Sequence, residues 1–125
     1  FKNKGENYFR KIETSLSLQE LKKNNTIISL GGGAFLNNSI RKAVKDTSVS
    51  FWLDVSINEL VKRLTKTKKR PLLFKKNMKD TVSKIYLERK RIYNESDFRI
   101  KCKFLKREAI VDKIIKLYEK SRNKI

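Results

Sequence analysis

The chain has 125 residues, 38% of them hydrophobic and 36% charged, which fits one domain of ordinary size. No apolar stretch approaches the roughly 18 residues of a membrane-crossing helix, and no secretory signal is visible at the start. The 32 basic residues outnumber 13 acidic ones, a formal net charge of +19. That excess admits nucleic acid or an anionic membrane as partner. Most of it is lysine spread along the whole chain, however, without the aromatic–basic interleaving of single-strand binders; a lysine-, asparagine- and isoleucine-rich composition accounts for it equally well.

In chain order, the first residue is Phe1 rather than Met, so the sequence reads as part of a longer reading frame. Residues 6–23 are expected to form a helix with Tyr8, Phe9, Ile12 and Leu16 on one face and Arg10 and Glu13 toward its edge. "TIISL" (26–30), bounded by Asn-Asn and Gly-Gly-Gly, reads as a fully buried strand. A short helix follows from about Asn38 to Lys45. "VSFWLDV" (49–55) is a second strand, closed by Ser56 with Glu59 three residues on, the signature of a capping box. Ile57, Leu60, Val61 and Leu64 then trace a helix.

That helix gives way to "TKTKKRPLLFKKN" (65–77), a cationic stretch around the single proline that reads as a mobile surface loop. A helix is expected at 78–93 and an alternating, half-buried strand at 97–104. A final amphipathic helix carries Ile110, Ile114 and Leu117 on one side. Alternating helices and strands imply an α/β layer fold with a parallel sheet.

Ligands in such sheets sit beyond the carboxyl ends of the strands, where Gly31, Gly32 and Gly33 fall. Three residues without Cβ allow a sharp turn and a close approach of backbone N–H groups to an anion or hydroxyl; a tight turn with no ligand is the alternative. Arg89 falls in the middle of the apolar face formed by Val82, Ile85, Tyr86, Ile92 and Tyr93. A guanidinium on a core face needs a partner, either a carboxylate such as Glu13 or Glu88 or the carboxylate of a ligand, which its planar fork suits. Arg70, stiffened by the proline after it, resembles a lid arginine for a transferring phosphoryl group, or else one more solvated cation.

There is no histidine, and the single cysteine, Cys102, fits a reducing compartment. Metal-hydrolase and Ser–His chemistry are set aside, and no metal ligands are assigned. Anion handling by arginines and backbone amides remains, which suits phosphoryl transfer.

"GENYFRKIE" (5–13), "IISLGGGA" (27–34), "RLTKTKKRPLL" (63–73) and "ERKRIY" (88–93) resemble, in order and spacing, the shikimate kinase family, through nearly the whole chain. The resemblance implies an α/β fold of the nucleoside-monophosphate-kinase (P-loop kinase) type, with a three-layer parallel sheet. It implies transfer of the ATP γ-phosphoryl group to the 3-hydroxyl of shikimate with Mg²⁺, in the cytoplasm, by a protein that is monomeric when complete. Carried over, Arg10 and Arg89 hold the shikimate carboxylate, and Glu13 supports the substrate or orients Arg10. The glycines Gly31 to Gly33, through the Gly32 amide above all, contact the substrate. Arg70 is the catalytic lid arginine on the ATP phosphates within the lid 65–77, and Arg63 lies against adenine.

Departures accompany the match. No G-x-x-x-x-G-K-[ST] loop occurs in residues 1–125, the family's substrate-binding Asp is absent, and Arg91 replaces the usual proline after Arg89. The chain is thus expected to be one kinase-like domain lacking its first two strands and inactive alone. A basic nucleic-acid-binding module and a degenerate, non-catalytic kinase-like domain are the alternatives.

Overall fold

The computed structural model describes residues 5–68 and 73–122. They fall into two compact units, Phe1–Ser50 and Phe51–Ile125.

In the first unit, helix α1 (Gly5–Leu21) leads through an extended segment and a 3₁₀ turn (Ala34–Leu36) into helix α2 (Asn38–Thr47). Its core is Leu21, Ala34, Ile40 and Val44, with Leu18, Ile28, Leu30, Phe35 and Ala43 packed against it. Asn37 starts α2: its Oδ1 accepts from the Ile40 N–H at 3.0 Å, while its Nδ2 donates to Thr14 Oγ1 at 3.3 Å. One side chain therefore satisfies a helix end and ties α2 to α1.

Two expectations are corrected here. The stripe Tyr8, Phe9, Ile12 and Leu16 is exposed; α1 packs instead through Thr14, Ser17, Leu18 and Leu21, a face whose small polar members hide it from a hydrophobicity count. Residues 26–30 are not a strand. Their alternation is strand-like, with Ile28 and Leu30 on the core and Ile27 fully exposed, but a strand requires a hydrogen-bonded neighbour and none is present among the described residues.

The second unit holds strands β1 (Phe51–Asp54) and β2 (Phe98–Lys101), paired in parallel with Trp52 opposite Arg99 and Leu53 opposite Ile100. Between them lie helices α3 (Ile57–Lys68) and α4 (Leu73–Tyr93), packed together, and α5 (Arg107–Arg122) follows β2. Parallel pairing across intervening helices is the α/β pattern expected. Ser56 begins α3 as anticipated, its Oγ accepting from the Glu59 N–H at 3.3 Å. The helices reach further into the 65–77 stretch than expected, to Lys68 on one side and from Leu73 on the other. The residues between, Arg70 among them, lie outside the described residues.

Candidate functional site

In α1, Arg10 and Glu13 stand one turn apart on the same side. Arg10 Nη1 donates to Glu13 Oε1 at 2.7 Å, and Nη2 lies 3.7 Å from Glu6 Oε1. The hydrogen bond to Glu13 raises the Arg10 pKa further, fixing the side chain as a cation. This pair lies against the triglycine. A Cβ on Gly33 would come within 2.6 to 2.9 Å of three guanidinium atoms of Arg10, and one on Gly31 within 3.1 Å of Glu13 Oε2.

The glycines do form a tight turn, the Ala34 N–H donating to the Gly31 carbonyl at 3.1 Å, but positive φ occurs at Gly5 and at none of Gly31, Gly32 or Gly33, and Gly33 has ordinary dihedrals, φ −96° and ψ −10°. At Gly33 and Gly31 the absence of a side chain makes room for charged groups rather than allowing a strained backbone. Gly32 is exposed beside them. The result is a guanidinium held by an acid on one side and by bare backbone on the other, an arrangement able to accept a carboxylate or phosphate.

The second unit carries a cleft of about 320 Å³, lined by Trp52, Asp54, Tyr86, Arg89 and Tyr93 together with aliphatic side chains of β1, α3 and α4. Tyr86, Arg89 and Tyr93 share one face of α4 at helical spacing. Arg89 Nη1 lies 3.5 Å from the Tyr93 hydroxyl. Trp52 packs against both tyrosines, at 6.0 Å from the Tyr93 ring and 6.5 Å from that of Tyr86. Asp54, buried at the end of β1, accepts two hydrogen bonds from Arg99 (2.8 and 2.6 Å) and one from the Tyr86 hydroxyl (2.9 Å). The Arg99 guanidinium lies 4.7 Å over the Trp52 ring, close enough for a cation–π contact. Desolvation first, and the hydrogen bond to Asp54 second, push the Tyr86 pKa up.

Sequence alone assigns no role to Asp54 or Arg99, and places Tyr86 only on the apolar face around Arg89. The signal was there: an acid inside an apolar strand demands a partner, the argument that singled out Arg89. Arg63 stands on α3, its Nε 3.2 Å from Glu59 Oε1 and its side chain mostly in solvent. Arg10, Glu13, Gly31 and Gly33 are thus assembled in the first unit, whereas Arg89 and Arg63 belong to the second.

Parallel strands joined through helices define an α/β protein, and the comparison of folds makes it one of the P-loop kinase type. The crystal structure of shikimate kinase from Bacteroides thetaiotaomicron has the same fold, with a TM-score of 0.79 over 98% of this chain and 72% of that one, at 21% identity. The family model described as Shikimate kinase matches residues 1–119. The shikimate kinase of Bartonella henselae is 34% identical over 93% of this chain and 55% of its own length. That of Thermodesulfovibrio yellowstonii is 34% identical over 98% of this chain and 71% of its own length. The chain belongs to the shikimate kinase family. It spans little more than half the length of several curated relatives it matches, 55% and 60% in two of them.

Proposed function

We propose that this chain provides the acceptor-binding and lid portion of a shikimate kinase, transferring the γ-phosphoryl group of ATP to the 3-hydroxyl of shikimate. The observation that carries the reading is the Arg10 guanidinium, clamped by Glu13 and seated where Gly33 has no side chain. A fixed cation beside open backbone suits a carboxylate-bearing acceptor. Arg10 in the first unit and Arg89 in the second are each assigned to the shikimate carboxylate, Glu13 to orienting Arg10, and the Gly32 amide to the substrate.

Transfer then needs the 3-hydroxyl oxygen in line with the γ-phosphorus and positive charge on the equatorial oxygens. Arg70 is assigned that charge from the lid, and Arg63 the adenine face. Mg²⁺ is assigned to the ATP phosphates, where this ion usually binds. The phosphate-binding loop and the strands that would flank residues 26–30 are proposed to come from polypeptide beyond these 125 residues. A cytoplasmic, monomeric enzyme completes the proposal; among the described residues no helix is long and apolar enough to cross a membrane.

The test is a coupled ADP-release assay of the full-length protein with ATP, Mg²⁺ and shikimate. Shikimate-dependent turnover that Arg10→Met reduces through KM is expected. Turnover indifferent to shikimate would refute the reading.

A further inference from the structure

The cluster around Asp54 goes beyond the contacts a carboxylate clamp requires. Both carboxylate oxygens are used: Oδ2 takes two hydrogen bonds from Arg99, and Oδ1 takes that of the Tyr86 hydroxyl. Arg99 is the cross-strand neighbour of Trp52, so Asp54, Trp52 and Arg99 share one face of the strand pair. Tyr86 and Tyr93 flank Arg89 on α4, one turn before it and one after. Both rings meet Trp52, and Tyr93 also approaches Arg89 itself. The helix face bearing Arg89 is therefore fixed to the carboxyl end of β1 by a directional bond at Tyr86 and by two ring contacts. A ring contact tolerates sliding, whereas a 2.9 Å hydroxyl–carboxylate bond does not.

We propose that Asp54, oriented by Arg99, is a positioning residue for Arg89: by holding the Tyr86 hydroxyl it sets the rotation of α4 that presents the Arg89 guanidinium to the cleft. The proposal rests on the assignment of Arg89 to the acceptor carboxylate, and its effect is confined to recognition of that group. An inverse demand follows for the acid. Because Asp54 is buried, removing either donor leaves it with fewer partners, so Arg99 and Tyr86 serve both the acid and, through it, Arg89.

The experiment measures KM and kcat of the full-length enzyme with shikimate and with its carboxamide, in which the carboxylate charge is gone. Tyr86→Phe removes one oxygen and keeps the ring on Trp52. It is expected to raise the shikimate KM about tenfold, the scale of a lost hydrogen bond to a charged group, with kcat and the ATP KM within about twofold and the carboxamide kinetics unchanged. Asp54→Asn is expected to act in the same direction, and Arg99→Lys, which keeps the charge and one donor, to show a smaller loss than Arg99→Ala. An equal loss on both substrates would show a merely structural role and overturn the proposal, as would an unchanged shikimate KM in Tyr86→Phe. Arg89→Ala run in parallel separates the two levels. If it leaves the preference for carboxylate over carboxamide intact, the clamp assignment itself fails; if it abolishes the preference while Tyr86→Phe does not alter it, only the positioning role fails.

Discussion

The guanidinium of Arg10 occupies the space that a side chain on Gly33 would need, with Nη1 2.6 Å and Nη2 2.8 Å from where its Cβ would lie. The backbone there is in a region open to any residue, φ −96° and ψ −10°. Space and conformation are thus separable at this position. Gly33→Ala is expected to leave the melting temperature unchanged or slightly raised, because alanine at compatible dihedrals restricts the unfolded chain, worth about 0.4–1 kcal/mol. The flexible Arg10 side chain gives way instead, and the shikimate KM of the full-length enzyme is expected to rise about tenfold or more. A thermal melt beside steady-state kinetics checks both; a destabilised protein with unchanged KM would reverse the assignment.

Glu13 makes the complementary case. Its side chain is 17% exposed and that of Arg10 is 40% exposed, so solvent screens the pair and its net worth to the fold is small. Glu13→Gln is expected to change the melting temperature little. It frees the guanidinium to leave the Gly33 seat, and the shikimate KM is expected to rise about threefold to tenfold. Combined with Arg10→Met, the second change is expected to add nothing, since there is no longer a guanidinium to orient. Full additivity in that double-mutant cycle would show that Glu13 acts independently of Arg10.

The alternation of apolar runs with glycine, proline and cap signals was enough to locate every described helix and both strands, because each element's period survives in the residues themselves. Pairing did not survive in the same way. Residues 26–30 have the composition and the alternation of a strand, yet strand status depends on a neighbour that no local pattern supplies. The buried face of α1 was masked because Thr14 and Ser17 are polar by name while Thr14 turns its hydroxyl back to the Arg10 carbonyl at 2.7 Å. Arg10, Glu13 and the glycines were picked out singly, but that Gly33 is a seat for Arg10 is a distance across 23 residues of chain and has no signature in sequence. Asp54 was legible in principle, as an acid in an apolar strand, and was passed over because its neighbours dominate the pattern.

Alkaline stability follows from two raised pKa values. Burial raises both the Tyr86 hydroxyl above its ordinary 10.0 and the Cys102 thiol above 9.0, with Asp54 next in each case, through its hydrogen bond to Tyr86 and through its charge at Cys102. In each case the unfolded chain loses its proton at lower pH than the folded one. Stability is then full below the unfolded values and falls as pH rises from about 9 upward toward the folded ones. Chemical denaturation of the full-length protein at pH 8 and pH 10.5 is expected to show this decline, smaller in Tyr86→Phe and smaller again when Cys102→Ala is added. An unchanged pH dependence in the double variant would assign the decline elsewhere. The same raised thiol pKa predicts slow alkylation of Cys102 at pH 8, since the thiolate is the reactive form.

The segment before the glycines sets the behaviour of the 125 residues in isolation. Ile28 and Leu30 lie against the core of the first unit, which holds the segment extended, while Ile27 is 100% exposed. An extended backbone with no ladder partner among the described residues offers its amides and carbonyls to any other chain. Near it in sequence, Tyr8, Phe9, Ile12 and Leu16 add exposed apolar surface on α1. The isolated chain is therefore expected to self-associate in a concentration-dependent way and to melt without a sharp transition, and Ile27→Lys is expected to reduce the association. In the full-length kinase, where a neighbouring strand is proposed to pair with this segment, the same substitution should instead destabilise, by at least the roughly 1.5–3 kcal/mol of a buried aliphatic side chain. Sedimentation of the isolated chain and denaturation of the full-length protein measure the two effects. A cooperative, concentration-independent melt of monomeric 125-residue chain would mean that the segment needs no partner strand, and would remove the structural reason for placing one beside it.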